Sequence, residues 1–165
     1  MIKRILIALA MVLIIIQFIR PSKNLSADTS KDISTLYAVP EDVKAILERA
    51  CNDCHTNRTV YPWYSEVQPI GWWLNNHISG GKRHINFNNF ASLRAATQKK
   101  KMEECMDQIK HNDMPISSYT WIHTDAELSE ANKQTMYAWC RKIIDTLKAK
   151  YPADSLIQKD DKRHE

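Results

Sequence analysis

Two cysteines and a histidine lie close together in the segment Cys51-Asn52-Asp53-Cys54-His55, and these side chains are the ones best suited to chemistry. On a helix, residues three and four positions apart share one face, so both thiols and the imidazole would lie on the same side. The C-x-x-C-H pattern is the attachment signature of a c-type haem. Cys51 and Cys54 would reach two vinyl groups at one porphyrin edge, and His55 would bind the iron. The sequence therefore predicts one covalently attached haem c, bound by Cys51, Cys54 and His55.

The other two cysteines do not complete a different kind of site with this motif. A zinc site normally has a second close pair of ligands, whereas Cys105 and Cys140 stand 35 positions apart. A redox dithiol would need a thioredoxin-like βαβ context, and a plain disulfide between Cys51 and Cys54 leaves His55 unexplained. We expect Cys105 and Cys140 to be small buried hydrophobes on helix faces, or to be joined by a disulfide, without a role in haem binding.

The iron also needs a sixth ligand, or it keeps an open coordination position. Three methionines fall at apolar positions of predicted helices, where methionine usually fills the core, namely Met102, Met106 and Met136. Met114 differs, because it follows a predicted helix and precedes Pro115, which favours an extended backbone before it. We therefore predict Met114 as the second iron ligand. His77 is the main alternative and would give a bis-histidine centre.

The N-terminal residues 1–20 form a strongly apolar run with basic residues at both ends. Lys3 and Arg4 precede the run of fifteen residues, and Arg20-Pro21 ends it. Such a run would extend about 22 Å as a helix, against about 30 Å for the hydrocarbon core of a membrane. No small-x-small cleavage site follows, which argues against a removed signal peptide. The pattern predicts a signal anchor, a single transmembrane helix in the cytoplasmic membrane with the C-terminal domain on the periplasmic side.

Composition divides the remaining sequence into three parts. Residues 21–36 are rich in Ser, Asp and Lys and predict a flexible tether, whereas 37–151 predict the haem-binding domain and 152–165 a polar tail. Apolar residues recur at helical spacing in the domain, without a competing strand pattern. Helices are expected from Pro40 to Cys51 and over 70–79, 89–111 and 130–149. The predicted fold class is all-α, with long loops.

The overall charge does not point to nucleic acid as a partner. The net charge is +4, but three of the basic residues flank the N-terminal run. The lysine run 99–101 is typical of a solvated helix face, with docking of an acidic redox partner as the alternative. Only three glycines are present, which argues against a Gly-rich phosphate loop.

Several segments along the chain are shared with a known family. They are Gln17–Pro21, the C-x-x-C-H motif, Tyr61–Ser65, Pro69–Leu74, His77-Ile78, Asn86-Phe87, Met114-Pro115 with Tyr119, and His123 with Leu128-Ser129. In these the chain resembles the haem-binding domain family, small bacterial proteins related to cytochrome c. The family usually has a second proline after Met-Pro, where this chain has Ile116. The resemblance implies a cytochrome c-like helical domain around one haem.

The function expected from motif and resemblance is electron transfer by a membrane-anchored monohaem protein. Such a protein is not an enzyme, and it would need a redox partner protein that the sequence does not identify. Two alternatives stay open at this point. One is a haem-based sensor or ligand-binding module, and the other is a peroxidase-like enzyme, both of which require an open iron site.

Overall fold

The computed structural model describes residues 1–158, and helices make up the regular structure of this part of the chain. The α-helices in chain order are α1 (Ile2–Ile16), α2 (Glu41–Ala50), α3 (Asn52–His55), α4 (Ile70–His84), α5 (Ala95–Lys110), α6 (Ser117–Thr120) and α7 (Glu130–Lys150). Short 3-10 turns lie at Ile33–Thr35, Trp63–Glu66, Phe87–Ser92, Thr124–Ala126 and Ala153–Leu156. Among these residues the only β pairing is an isolated bridge between Leu25 and Arg58. The all-α class predicted from the sequence is confirmed.

The predicted transmembrane helix at residues 1–20 is wrong. The helix α1 has 15 residues and ends at Ile16, which corresponds to a length of about 22 Å. Within residues 1–158, no helix combines the length and the apolar character needed to cross a membrane. The prediction of a single-pass anchor in the cytoplasmic membrane, with a periplasmic domain, is overturned with it. The prediction from hydropathy included apolar residues that lie beyond the end of α1 at Ile16.

The chain that leaves α1 is bound to the start of α4. The side chain of Gln17 accepts a hydrogen bond from the backbone N–H of Gln68 (2.9 Å) and donates one to its carbonyl (3.1 Å). The indole Nε1 of Trp72 donates to the carbonyl of Ile19 at 2.7 Å. These bonds fix the direction in which the chain enters the folded part.

Asn24 attaches the segment predicted as a flexible tether to the loop after the C-x-x-C-H motif. Its backbone N–H donates to the hydroxyl of Tyr61 (2.7 Å). Its side-chain amide donates to the carbonyl of Thr56 (2.9 Å) and to the hydroxyl of Thr59 (3.0 Å). The Lys82 ammonium donates to its amide oxygen at 2.5 Å. One asparagine thus joins three separate parts of the chain.

The hydrophobic core lies between α5 and α7, with α2 packed against α7. The buried face of α7 recurs at helical spacing through Met136, Trp139, Cys140, Ile143, Ile144 and Leu147. The indole N–H of Trp139 is satisfied by the carbonyl of Ala38 at 3.1 Å. Ile33, 2% exposed, and Leu156, 7% exposed, complete this core from outside the predicted domain limits. The last residues of the predicted polar tail, 159–165, lie outside the described residues.

Candidate haem site

The C-x-x-C-H motif folds as a single helical turn directly after a longer helix. The helix α2 ends at Ala50, and Cys51 leaves helical geometry with a φ of −127°. The Cys51 carbonyl then accepts hydrogen bonds from the N–H groups of Cys54 (3.1 Å) and His55 (3.0 Å). Cys51 therefore starts the short helix α3, and both thiols and the imidazole lie at the wall of the same cavity.

Two adjoining cavities meet at this turn, with volumes of about 380 Å³ and about 250 Å³. Cys51, His55 and Met114 line both of them, so the two form one cleft bordered by α3, α4 and α5. Cys54 lines the smaller cavity. Pockets of roughly 300–1,000 Å³ are typical of sites for drug-sized ligands and cofactors. The structure thus brings all four residues of the predicted site to one cleft.

The orientation of His55 is set by the end of α4. Its Nδ1 donates to the carbonyls of Gly81 (3.1 Å) and Ile85 (3.0 Å). Because carbonyls only accept, Nδ1 carries the proton and Nε2 keeps a free lone pair. Burial lowers the pKa of His55, and the two carbonyls oppose that shift only in part. The imidazole is therefore neutral and presents one nitrogen suited to a metal.

Gly81 permits the close contact between α3 and α4. A Cβ at this position would lie 2.8 Å from the carbonyl oxygen of Cys54, 3.2 Å from Cys54 Cβ and 3.3 Å from His55 Cε1. A side chain at residue 81 would therefore push α3 away and break the hydrogen bonds that orient His55. Glycine is needed at residue 81 because there is no space for a Cβ. Its backbone conformation does not require glycine, since its φ is not positive.

Met114 reaches the cleft because α5 ends abruptly before it. Asn112 adopts a left-handed conformation, with a φ of 60°. The N–H of Asp113 bonds to the carbonyl of Gln108 (3.0 Å), and that of Asn112 bonds to the carbonyl of Ile109 (3.2 Å). This pair of bonds is a Schellman motif, which closes a helix and turns the chain. The turn places Met114 in the wall of both cavities.

A comparison with known families agrees with this geometry. The family model described as the haem-binding domain matches residues 11–142. The chain belongs to the haem-binding domain family. The match includes Cys51, Cys54, His55 and Met114, whereas no curated protein and no solved structure matches the chain. Because the neutral imidazole, the paired thiols and the cleft volume all fit a haem, we call this cleft the haem cavity.

Burial keeps both cysteines of the motif in the thiol form at neutral pH. Removal from water raises the pKa of Cys54 to about 11, and the Asp53 carboxylate adds to the shift. Burial likewise raises the pKa of Cys51 well above its usual value, with the thiols of Cys105 and Cys54 adding to it. The haem cavity of this haem-binding domain is therefore bordered by neutral thiols.

Two further histidines border the haem cavity and could bind iron. His77 lines the smaller cavity, and its Nδ1 donates to the carbonyl of Trp73 at 2.9 Å. Its ring lies 4.1 Å from the Trp73 ring, measured between centroids. His84 lines both cavities and is exposed. The structure brings His77 and Met114 to one cavity, as both interpretations of the sixth ligand require.

A polar network beside Cys54 was missed by reasoning from the sequence. The Tyr119 hydroxyl donates to Asp53 Oδ2 at 3.0 Å. The Tyr119 ring stacks on His123 at 4.4 Å between centroids, and His123 Nε2 lies 2.8 Å from the Tyr64 hydroxyl. Burial and the nearby Asp53 carboxylate raise the pKa of Tyr119, which stays a neutral donor. Tyr64 and His123 are 59 residues apart in the sequence, and Asp53 and Tyr119 are 66 apart. No local sequence pattern therefore indicates that these residues are in contact.

The two remaining cysteines, Cys105 and Cys140, lie where the haem cavity meets the hydrophobic core. Cys140 is fully buried in the core, as predicted, whereas Cys105 lines the larger part of the haem cavity. Their side chains interact directly across the contact between α5 and α7. The neighbouring Cys140 side chain lowers the pKa of Cys105. Both are free thiols in the structure, and the place of Cys105 in the cavity wall is not evident from its helical position.

Proposed function

We propose that this haem-binding domain carries one haem, attached covalently through Cys51 and Cys54, and serves in electron transfer. Bound haem supplies a one-electron couple between ferric and ferrous iron. The observation that carries the proposal is the neutral His55, held by two carbonyls in a cavity that it shares with two thiols and a methionine. A rigid pair of strong-field ligands suits electron transfer, because the iron keeps the same neighbours in both oxidation states.

The attachment step follows from the positions of the two thiols. Each would add across one vinyl group, with sulfur bonding to the inner carbon and the thiol hydrogen going to the outer carbon. Cys51 and Cys54 are three positions apart around one helical turn, so they can serve two groups at the same edge. The short helix holds His55 one residue further on, at the cavity wall.

Met114 is the sixth ligand that the geometry favours. It lines both parts of the cavity together with His55, whereas His77 borders only the smaller part and packs against the Trp73 ring. A thioether stabilises ferrous iron, so His/Met ligation should give a higher reduction potential than bis-histidine ligation. With Met114 and His55 as its ligands, a bound haem iron would have no open position, which favours an electron carrier over a sensor or a peroxidase-like enzyme.

The lysine run on α5 does not supply an obvious docking surface for a redox partner. Lys99 pairs with Glu103 at 2.8 Å, and Lys101 pairs with Glu104 at 2.7 Å. Lys100 also lies 3.7 Å from Glu104. The two glutamates thus offset two of the three positive charges on the same helix. The proposed electron transfer still requires a partner protein.

Covalent attachment is tested by extraction with acidified acetone. We expect the haem of the purified full-length protein to stay with the polypeptide, because thioether bonds survive denaturation. Replacing both cysteines (Cys51→Ala with Cys54→Ala) should make the haem fully extractable. Extraction of the haem from the wild type would contradict the proposal.

A further inference from the structure

Three of the four cysteines, Cys51, Cys105 and Cys140, lie where the haem cavity meets the hydrophobic core. Cys51 and Cys105 line the same cavity wall. Cys140 belongs to the hydrophobic core, and both Cys51 and Cys105 pack against that core. Cys105 on α5 and Cys140 on α7 belong to two helices that pack directly against each other. Cys105 therefore stands between the attachment site and a fully buried partner.

Haem attachment places a demand on the oxidation state of the motif. Both Cys51 and Cys54 must be thiols, because a disulfide sulfur cannot add to a vinyl group. Two cysteines separated by two residues on one helical turn are also well placed to form a disulfide with each other, as in C-x-x-C redox motifs. A chain whose motif has been oxidised would be unable to take up haem until that bond is reduced.

We infer that Cys105 and Cys140 form a built-in dithiol that reduces a Cys51–Cys54 disulfide and so keeps the attachment site competent for haem. This inference rests on the proposed covalent attachment. It assigns a chemical function to the two cysteines for which the sequence predicts only a structural role.

The exchange proceeds in two steps that balance in atoms and electrons. The Cys105 thiolate attacks Cys51 Sγ, which forms a Cys105–Cys51 disulfide and releases the Cys54 thiolate, which takes up a proton. The Cys140 sulfur then attacks Cys105 Sγ and releases Cys51, and the proton of the Cys140 thiol passes to the departing Cys51 sulfur. One disulfide is reduced to two thiols, and two thiols are oxidised to one disulfide. No other oxidant or reductant takes part.

The positions of the three residues explain the order of the steps. Cys105 is half-buried and borders the cavity, so it can reach Cys51 while the cavity holds no haem. Cys140 has 0% exposure and contacts Cys105, so it can resolve the mixed disulfide but cannot attack from solvent. Once haem fills the cavity and occupies Cys51 as a thioether, the exchange has no substrate. The dithiol therefore acts before attachment and not after it.

The test measures covalent haem per polypeptide in cells that supply a c-type haem attachment system. The full-length wild type and its Cys105→Ser variant are produced with and without dithiothreitol in the medium. We expect Cys105→Ser to carry several-fold less covalent haem than the wild type without dithiothreitol, and the same amount with it. The rescue by a thiol reductant separates loss of reducing chemistry from a folding defect.

A second variant traps the intermediate. In haem-depleted cells, Cys140→Ser should accumulate a Cys51–Cys105 disulfide, detected by peptide mass spectrometry after thiol alkylation. The wild type should instead show a Cys105–Cys140 disulfide, and the double variant with Cys105→Ser should show neither.

The outcomes distinguish this inference from the proposed function. Equal haem content of wild type and Cys105→Ser without dithiothreitol overturns the dithiol and leaves covalent attachment intact. A deficit that dithiothreitol does not restore makes Cys105 a structural residue and also overturns the dithiol. A wild type without covalent haem, even with dithiothreitol, overturns the proposed function itself.

Discussion

At the scale of single residues, the haem site depends on hydrogen bonds that orient one imidazole. The carbonyls of Gly81 and Ile85 come from the last turn of α4 and from the residue that follows it. The Gly81 oxygen also accepts the backbone N–H of Ile85 at 2.9 Å and has a second lone pair for His55. Both carbonyls are thus available to accept from His55 Nδ1, which would otherwise compete with Nε2 for the iron. Backbone carbonyls at the end of a helix thus orient a metal ligand without any additional side chain.

The ligand assignment gives the first prediction at this scale. Met114→Ala should abolish the near-red absorption band that ferric haem shows with sulfur ligation, and it should open the iron to carbon monoxide. His77→Ala is the matched control, because His77 borders the same cavity and should leave the band unchanged. Absorption spectra of the purified proteins, with and without carbon monoxide, measure both effects.

Two outcomes would contradict the role of Met114. If the wild type lacks the band and only His77→Ala admits carbon monoxide, His77 is the ligand and the reduction potential is lower. If the wild type already binds carbon monoxide readily, the iron has an open position, and a sensor or peroxidase-like function replaces electron transfer.

At the scale of elements, the contact between α3 and α4 decides whether the site can form. We expect Gly81→Ala to destabilise the haem-loaded protein by about 1–3 kcal/mol, as overpacking does, because its Cβ would meet the Cys54 carbonyl oxygen at 2.8 Å. It should also lower the covalent haem content, since α3 must move away from α4. Thermal unfolding and haem content per polypeptide are the measurements.

The neighbouring glycine provides the control for this variant. A Cβ at Gly80 would meet only Arg83 Nη2 at 3.8 Å, an ordinary contact. Gly80→Ala should therefore stabilise α4 by roughly 0.5–1 kcal/mol, because alanine loses less freedom in a helix. Equal destabilisation by both substitutions would show that helix geometry matters here and the contact with α3 does not.

The elements show which parts of the fold the sequence could predict. The apolar stripe of the last helix predicted 130–149, and α7 spans Glu130–Lys150. The expected helix over 70–79 was too short, because the glycine pair was interpreted as a stop signal. The helix α4 continues to His84, and Gly81 serves a tertiary contact that local rules do not include. The expected start at 89 was too early, since Phe87–Ser92 is a separate 3-10 turn.

The candidate site likewise contains residues whose arrangement the sequence predicts and contacts that it does not predict. The positions of Cys51, Cys54 and His55 follow from spacing within one turn, so the sequence predicts their arrangement directly. The link between Tyr119 and Asp53 and the place of Cys105 in the cavity depend on how distant segments pack. Contacts of that kind arise from the whole fold and have no local pattern.

At the scale of the whole molecule, Asn24 joins the N-terminal segment to the site. Asn24→Ala removes three side-chain hydrogen bonds and leaves Thr59, which is buried, with fewer partners. We expect a loss of about 1–3 kcal/mol in unfolding free energy, together with faster tryptic cleavage after Lys23. The free energy comes from denaturant unfolding of the haem-loaded protein, and the cleavage rate from gel analysis.

An exposed asparagine serves as the comparison for that variant. Asn89 bonds through its side chain only within its own turn, to Ser92. Asn89→Ala should therefore leave both the unfolding free energy and the cleavage rate close to those of the wild type. Unchanged cleavage in Asn24→Ala would mean that other contacts, such as those of Gln17 and Trp72, hold the segment in place.

The proposed thioether bonds would make assembly of this molecule a one-way process. Before attachment, haem would be held in the cavity of about 380 Å³ only by reversible contacts. In that state stability follows mass action and rises with the logarithm of free haem concentration. Once the proposed thioethers had formed, the covalent linkage would set the local concentration of haem at His55, on the order of millimolar, and dilution would no longer matter. The ligand bonds to iron can then break and re-form without loss of the cofactor.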